Sequence, residues 1–323
     1  MYIYVLNVLA MEKYGEKYSG DSKYVELCRR LQSIYRYEKG LSIKPYRGHM
    51  YGNYINEGKR TGNNFLADYI HQYALDRVDK RNKKPYEMIQ EERLFNNLLS
   101  SQPMAFNLFC PLQKLLSEDP AAATRAIQAA LPYYDIHLVK QVTLEFIPKE
   151  FKIITGDKSA MDAIVRYYNT DEKECFIAVE TKYSESLGTN EAKDESTKRQ
   201  ERDVAVSLGV FTKEAEERIA SGRIPLTQIY RNFLLSEAYG RREGLGSYSI
   251  ILAPSIHPST SAEVASLYSE LKEEHRDKLR SIHLEDFVDA LIDTTPEEYS
   301  RLFRDFRGRY LDFEKARLTL SDN

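Results

Sequence analysis

Cysteine is scarce and scattered in this sequence. The three cysteines, Cys28, Cys110 and Cys175, are odd in number and far apart along the chain. They form neither a CxxC pair nor the framework of a disulfide-rich secreted domain, so the sequence supports no zinc site and no disulfide scaffold. This pattern favours a reducing compartment, and we expect a cytoplasmic protein.

Long apolar runs and a strong excess of one charge are also missing. No stretch approaches the roughly 20 apolar residues that a membrane-spanning helix needs. Residues 1–11 are apolar but lack a basic flank and a cleavage site, so we expect them to pack on the body of the protein. The net charge of -3 and the pI near 6.2 argue against a protein that coats nucleic acid, but they permit an enzyme with a local basic groove. The G-x-S-x-G element of many acyl hydrolases is absent.

A length of 323 residues predicts two domains, or one α/β domain with a helical extension. We divide the chain into a mainly helical extension at residues 1–86, a core at 87–260 and a helical segment packed on it at 261–323. The extension is rich in tyrosine, and its basic residues outnumber its acidic ones. Such a mixture could follow a phosphate backbone and stack bases, or it could be a solvated helical layer with tyrosines packed at its edges.

Hydrophobic periodicity predicts an α/β fold in which a sheet is flanked by helices. Strands are expected at residues 141–146, 161–168, 175–183 and 248–253, with a hairpin turn at 169–174. Helices are expected at residues 87–101, 121–130, 226–239, 262–278, 284–292 and 299–311. We expect residues 103–111 to form an irregular connection between two prolines, and residues 184–203 to form a solvated loop.

The third predicted strand carries an acidic and a basic residue on one face. Side chains alternate along a strand, so Glu180 and Lys182 point the same way, about 6.5–7 Å apart. If the hairpin pairs as predicted, Asp162 near the start of the preceding strand lies close to Glu180. Taken alone, Glu180 and Lys182 could instead be an exposed ion pair.

Two carboxylates and a lysine suit phosphodiester hydrolysis. Mg²⁺ prefers hard oxygen ligands, which Asp162, Glu180 and the carbonyl of Thr181 could supply. Such a metal polarises a phosphoryl oxygen and lowers the pKa of an attacking water. Lys182 would orient that water or stabilise the charge that develops on phosphorus.

Asp162 followed by Glu180-Thr181-Lys182 resembles the PD-(D/E)xK nuclease superfamily, which has the restriction-endonuclease-like fold. The chain is more closely similar to a prokaryotic branch of that superfamily. The similarity covers about residues 90–255 and includes LSSQP at 99–103, FN at 106–107, the SAMD segment, VETKY, and PLTQIYR at 225–231. One departure is that Met161 stands where the motif has its proline. Asp157 competes for the aspartate role, but its neighbours indicate a turn.

The resemblance implies a restriction-endonuclease-like mixed β-sheet core flanked by helices, in front of which lies the helical extension. It implies metal binding by Asp162 and Glu180, a catalytic Lys182, and Mg²⁺ as cofactor, with Mn²⁺ as a substitute. Members often add a glutamate from the helix before the sheet, for which Glu92 is favoured over Glu91. They also often place a polar residue on the following helix, here Gln228 or Arg231.

We therefore expect a Mg²⁺-dependent nuclease that acts on nucleic acid, with DNA as the favoured substrate. The main alternative is an inactive nuclease fold that serves as a nucleic-acid-binding or partner module. A structural protein with an incidental ion pair is the third hypothesis. Cutting both strands of a duplex with one site per chain would favour a homodimer.

Overall fold

The strands that carry the predicted motif belong to a mixed sheet. In the computed structural model, the described residues are 11–83, 89–156, 159–188, 191–192 and 194–320. Within them the sheet has the order β1-β2-β3-β4-β5. Its strands are β1 (Leu138–Phe146), β2 (Met161–Tyr168), β3 (Glu174–Thr181), β4 (Gly246–Ala253) and β5 (Leu279–His283). The first three strands pair antiparallel, whereas β4 and β5 continue parallel to β3.

Helices flank this sheet and provide its connections. Before β1 lie α1 (Lys23–Glu38), α2 (Gly58–Thr61), α3 (Asp68–Lys83), α4 (Glu91–Asn96), α5 (Ser101–Glu118) and α6 (Pro120–Ala130). The short α7 (Phe151–Ile154) precedes β2, and the crossover from β3 to the parallel β4 contains α8 (Glu195–Leu208), α9 (Lys213–Ala220) and α10 (Gln228–Glu243). Between β4 and β5 lie α11 (Thr260–Glu270) and a 3-10 helix (Glu273–Lys278), and the chain continues with α12 (Leu284–Thr294), α13 (Glu297–Tyr310) and α14 (Phe313–Leu320).

Both faces of β3 are buried, which explains its continuous apolar run. Ile177 and Val179 belong to the main core. Phe176 belongs to a smaller cluster on the other face, together with Leu235 of α10. The predicted alternation along this strand is thus confirmed, and the predicted α/β fold with a mixed sheet flanked by helices is confirmed with it.

The main core contains residues from all three predicted segments of the chain. Leu31 of α1, Ile177 of β3 and Tyr310 of α13 are among its buried members. A hydrogen-bond network adds polar links: Gln32 Nε2 donates to Tyr183 Oη at 2.9 Å and to the carbonyl of Arg309 at 2.9 Å. The division at residues 86 and 260 stays a prediction, but the core is continuous across both boundaries. In the described part of the chain, no helix is long and apolar enough to cross a membrane.

The expected irregular connection at residues 103–111 is wrong, because α5 runs through it. The hydroxyl of Ser100 caps this helix by accepting from Gln102 N at 3.3 Å. Pro103 lies in the first turn, where a backbone N–H has no helical acceptor to lose. Pro111 does interrupt the interior pattern, but burial of most residues from Pro103 to Leu112 outweighs that loss. In the described part of the predicted helix at 87–101, the helix α4 ends at Asn96, and α5 begins at Ser101.

Two further expectations needed correction in the second half of the chain. The predicted helix at 262–278 ends at Glu270, and it is followed by the 3-10 helix and the unpredicted β5. The segment 184–203 is not a loop throughout, because α8 begins at Glu195 after Asp194, which accepts from Thr197 N at 2.8 Å. A high density of charge there is compatible with a solvated helix as well as with a loop.

Candidate active site

Asp162 lies where the β2–β3 hairpin ends, across from Glu180. The register pairs Ala163 with Val179, so the next step along the ladder places Asp162 opposite Glu180. Asp162 Oδ2 accepts hydrogen bonds from the backbone N and the hydroxyl of Thr181, both at 2.7 Å. Its other oxygen, Oδ1, has no hydrogen bond to any residue of the described ranges. The hairpin thus holds the carboxylate in a defined orientation with one oxygen open.

Glu180 and Lys182 form a buried ion pair. Lys182 Nζ lies 2.8 Å from Glu180 Oε1, and the two residues are only 6% and 7% exposed. Lys182 N donates to the carbonyl of Leu252 at 2.8 Å, which fixes the lysine backbone on β4. The low exposure of both residues contradicts the alternative of an exposed ion pair.

Helix α10 supplies two amides that fix the ion pair. Gln228 Nε2 donates to Glu180 Oε1 at 2.9 Å, and Asn232 Nδ2 donates to Glu180 Oε2 at 2.9 Å. Gln228 Oε1 accepts from Lys182 Nζ at 3.2 Å and from Gly188 N at 2.9 Å. Gln228 therefore contacts both predicted catalytic side chains. Asn232 was missed, although the four-residue spacing from Gln228 places both on one helix face.

A third acidic residue, Glu145, faces Asp162 from β1. Leu144 pairs with Ala163 and Phe146 pairs with Met161, so Glu145 lies across from Asp162. It is 5% exposed, its backbone has a positive φ of 49°, and Gln102 Nε2 donates to its Oε1 at 2.9 Å. Such strained conformations often occur at functional sites. Sequence analysis predicted the strand but not that this glutamate belongs to the site.

Negative charge accumulates around Asp162. Its burial, together with the like charges of Glu180 and Glu145, holds the pKa of Asp162 well above the ordinary range, although Thr181 N and Lys182 act in the opposite direction. Burial alone would lower the pKa of Lys182, but Glu180, Asp162 and Glu185 outweigh burial and raise that pKa above its ordinary value. Lys182 therefore stays an ammonium. The cluster formed by Asp162, Glu180, Glu145 and Lys182, here called the catalytic cluster, favours an additional cation.

The structure does not bring the predicted Glu92 to this cluster. Lys44 Nζ lies 2.7 Å from Glu92 Oε2, and Asn96 Nδ2 donates to the same oxygen at 3.0 Å. The alternative, Glu91, pairs with Lys59 at 2.6 Å. Both glutamates precede α5 on the short α4, whereas Gln102 of α5 contacts Glu145. Among the described residues, the third carboxylate next to this cluster is Glu145, and a catalytic role for Glu92 stays a prediction.

Three other predicted positions have different outcomes. Thr181 holds Asp162 through its N–H and hydroxyl, and a metal contact of its carbonyl stays a prediction. The role of Arg231 also stays a prediction. Asp157 lies outside the described residues.

The donor set fits a magnesium-type cation. Over the described ranges, no group of three or more His, Cys, Asp or Glu side chains is arranged as a complete metal cage. Mg²⁺ does not require such a cage, because it usually keeps several waters and binds through one or two carboxylates together with substrate phosphates. Asp162 and Glu180 supply two carboxylates, and no donor among the described residues occupies Asp162 Oδ1.

The segment after Lys182 is anchored by a histidine. His257 Nδ1 lies 2.6 Å from Thr260 Oγ1 and accepts from Thr260 N at 3.3 Å. A ring nitrogen that accepts a backbone N–H carries no proton, so the other nitrogen, Nε2, donates to the carbonyl of Glu185 at 3.1 Å. Burial is the main cause that lowers the pKa of His257. The neutral ring therefore holds the chain three residues beyond Lys182.

We expect protonation of His257 to destabilise the fold. Because the folded-state pKa is lowered, the unfolded chain binds this proton first, and stability falls as the pH drops below the unfolded value of about 6.5. The loss has a slope of at most about 1.4 kcal/mol per pH unit. Urea unfolding between pH 7.5 and 5.5 should show a steeper loss for the wild type than for His257→Asn.

Comparison with known families agrees with this geometry. A family model described as the PD-(D/E)XK nuclease superfamily matches residues 19–312. The chain belongs to this superfamily. The match extends well beyond residues 90–255, so the PD-(D/E)XK family region includes α1 to α4 and most of the C-terminal helices. No curated protein and no solved structure matches the chain.

Proposed function

We propose that this PD-(D/E)XK protein is a Mg²⁺-dependent nuclease that hydrolyses phosphodiester bonds in DNA. The observation that carries the proposal is the convergence of Asp162, Glu180 and Lys182, with both oxygens of Glu180 held by amides of α10. A module that only binds nucleic acid would not need a lysine buried against these carboxylates. The three buried thiols support a cytoplasmic location, and cleavage of both strands of a duplex would favour a homodimer.

Asp162 and Glu180 would hold the metal. Bound Mg²⁺ supplies polarisation of a phosphoryl oxygen and lowers the pKa of a bound water. Lys182 keeps its proton and donates a hydrogen bond to the attacking water or to the phosphoryl oxygen that gains charge, an interaction that strengthens as the negative charge grows. Gln228 limits the motion of both Glu180 and Lys182, so that the reacting groups need little reorganisation.

Cleavage of labelled single-stranded and double-stranded DNA and RNA tests this function. We expect products with Mg²⁺ or Mn²⁺, none with EDTA, and a preference for DNA. Absence of cleavage by folded protein under all metal conditions, with nucleic-acid binding retained, would favour the binding module instead. Cleavage that persists in EDTA would contradict the role of the carboxylates.

Replacing Gln228 with leucine should reduce cleavage about 10- to 100-fold, the usual effect of removing a partner that orients metal ligands. The substitution removes one donor to Glu180 and one acceptor for Lys182. Single-turnover rates measured over a range of Mg²⁺ concentrations should show a higher metal requirement, which a merely structural role would not produce. Gln72→Leu, on the exposed surface of α3, should leave both the rate and the metal requirement unchanged.

A further inference from the structure

A tight hairpin turn presents basic and aromatic side chains near α1. Tyr46 N donates to the carbonyl of His49 at 2.8 Å, and His49 N donates back to Tyr46 at 3.1 Å. Between them, Arg47 and Gly48 have φ values of 54° and 83°. Two successive left-handed residues are typical of the type I′ turn, for which glycine is favoured at the second position. The turn leaves Arg47 exposed at its tip.

This hairpin borders a pocket of 350 Å³ whose walls are largely tyrosine. The rings of Tyr46 and Tyr54 stack at 4.2 Å with an angle of 8°, so each has one face turned away from the other. Tyr18 meets Tyr51 edge to face at 5.6 Å. Tyr18 is 45% exposed, so part of its ring is accessible to a ligand. A pocket of this size and character suits a flat aromatic ligand.

Arg29 at this pocket pairs with Asp21, so the positive charge that favours an anionic ligand is that of Arg47. Arg29 lies 5.4 Å from the centre of the Tyr51 ring, and its guanidinium is held by Asp21 and Asn53. Arg47 lies 5.3 Å from the Tyr46 ring and makes no ion pair or hydrogen bond with the described residues. An aromatic cage for a cation would not contain two arginines. An exposed guanidinium next to aromatic rings instead suits a base that carries a phosphate.

Short links connect this pocket to the catalytic cluster. Asn53, which holds Arg29, accepts from Leu98 N at 2.9 Å through its carbonyl. The next residue, Leu99, accepts from Ser184 Oγ at 3.0 Å. Ser184 lies two residues after Lys182 in the chain. The pocket and the cluster are therefore built on segments that contact each other.

We propose that this pocket binds a nucleobase, which stacks on the tyrosine rings while Arg47 contacts its phosphate. The base would belong to the strand that the catalytic cluster cleaves. That assignment rests on the proposed function, whereas the base and phosphate chemistry follows from the pocket itself. Because every base has a flat aromatic face, the pocket should tolerate different bases.

Binding of short labelled single-stranded DNA in EDTA tests the proposal without interference from cleavage. Fluorescence anisotropy should show that Tyr18→Ala weakens binding by about 5- to 150-fold, whereas Tyr18→Phe retains the ring and stays near the wild type. Arg47→Asn should weaken binding and reduce the salt dependence by about 0.7 in a plot of log K against log salt. Asparagine is chosen because it tolerates the left-handed backbone at this position.

Tyr133→Ala is the matched control for the aromatic substitution. Tyr133 is 60% exposed, lies 4.7 Å from Arg280, and precedes Asp135, which binds the β2–β3 turn at the opposite end of the sheet. Its replacement should not change the affinity. Circular dichroism of each variant checks that its fold is retained.

A competition experiment with a deoxynucleoside monophosphate identifies the source of the base. The nucleotide could displace the labelled DNA at a concentration similar to that of the oligonucleotide, in a way that depends on Tyr18. That result supports the pocket but identifies its ligand as a free nucleotide. Equal DNA affinity of the wild type, Tyr18→Ala and Arg47→Asn overturns the proposal. That result would leave metal-dependent cleavage intact. If the protein instead binds DNA in a way that depends on Tyr18 but does not cleave it, only the proposed function is overturned.

Discussion

Replacing Lys182 with methionine is expected to slow metal-dependent cleavage by about 10²- to 10³-fold, the typical cost of losing a positioned group that stabilises developing charge. Methionine preserves the length and apolar stem of the side chain but removes the ammonium. In the wild type that ammonium lies 2.8 Å from Glu180 Oε1 and 3.2 Å from Gln228 Oε1. Single-turnover rates at saturating Mg²⁺ measure the effect on the chemical step.

Stability must be followed in the same experiment, because Lys182 also neutralises part of the carboxylate cluster. Removing one partner of a buried pair commonly costs about 3–5 kcal/mol. Here the donors from Gln228 and Asn232 to Glu180 remain, and bound Mg²⁺ replaces the lost positive charge. We therefore expect Lys182→Met to be less stable than the wild type without metal and to recover stability when Mg²⁺ is added.

The control for this substitution is Lys173→Met, in the exposed turn between β2 and β3. This substitution also removes one positive charge from the protein, but Lys173 lies outside the catalytic cluster. Its cleavage rate should therefore equal that of the wild type. Full activity of a folded Lys182→Met variant would show that the lysine is not part of the catalytic machinery.

The central site could be predicted from the sequence because its members are local. Asp162 and Glu180 lie on two successive strands joined by a short turn, and Lys182 directly follows the second strand. Two-residue alternation determines which side chains share a face, and the hairpin determines which carboxylates meet. Few tertiary details are needed for either inference. The contact between Gln228 and Glu180 comes from a helix further along the chain, and only the family resemblance suggested it.

The parts that sequence analysis missed depend on long-range register. Glu145 faces Asp162 only because β1 pairs with β2 in a register that includes an irregularity between Val139 and Gln141. No local pattern in a strand specifies that offset. The same reasoning applies to β5, whose sequence LRSIH has only two buried residues and therefore a weak strand pattern. The prolines of α5 were overinterpreted because propensity was judged without the burial that overrides it.

Replacing Asp162 with asparagine should produce two effects of opposite sign. Cleavage should fall by more than about 10³-fold, since the site loses a metal ligand and the reaction loses the chemistry that the metal supplies. Without metal, the melting temperature should instead rise by about 1 to 4 °C, because a neutral amide replaces a carboxyl whose ionisation is opposed by burial and by the neighbouring carboxylates. Asparagine can still accept the two hydrogen bonds from Thr181 through its amide oxygen, so the hairpin geometry is preserved.

The third readout for Asp162→Asn is the stabilisation of the protein by Mg²⁺. A ligand that binds only the folded state at 100 times its Kd adds about 2.7 kcal/mol to the free energy of unfolding. Wild-type protein should therefore melt at a higher temperature with Mg²⁺, and Asp162→Asn should lose most of this shift. Asp171→Asn, in the exposed β2–β3 turn, should keep both the cleavage rate and the shift.

The three expected results together identify Asp162 as part of the metal site. General damage to the fold would lower the melting temperature, so it cannot explain a variant that is more stable without metal, inactive, and insensitive to Mg²⁺. A full Mg²⁺ shift in Asp162→Asn would instead place the metal on other residues.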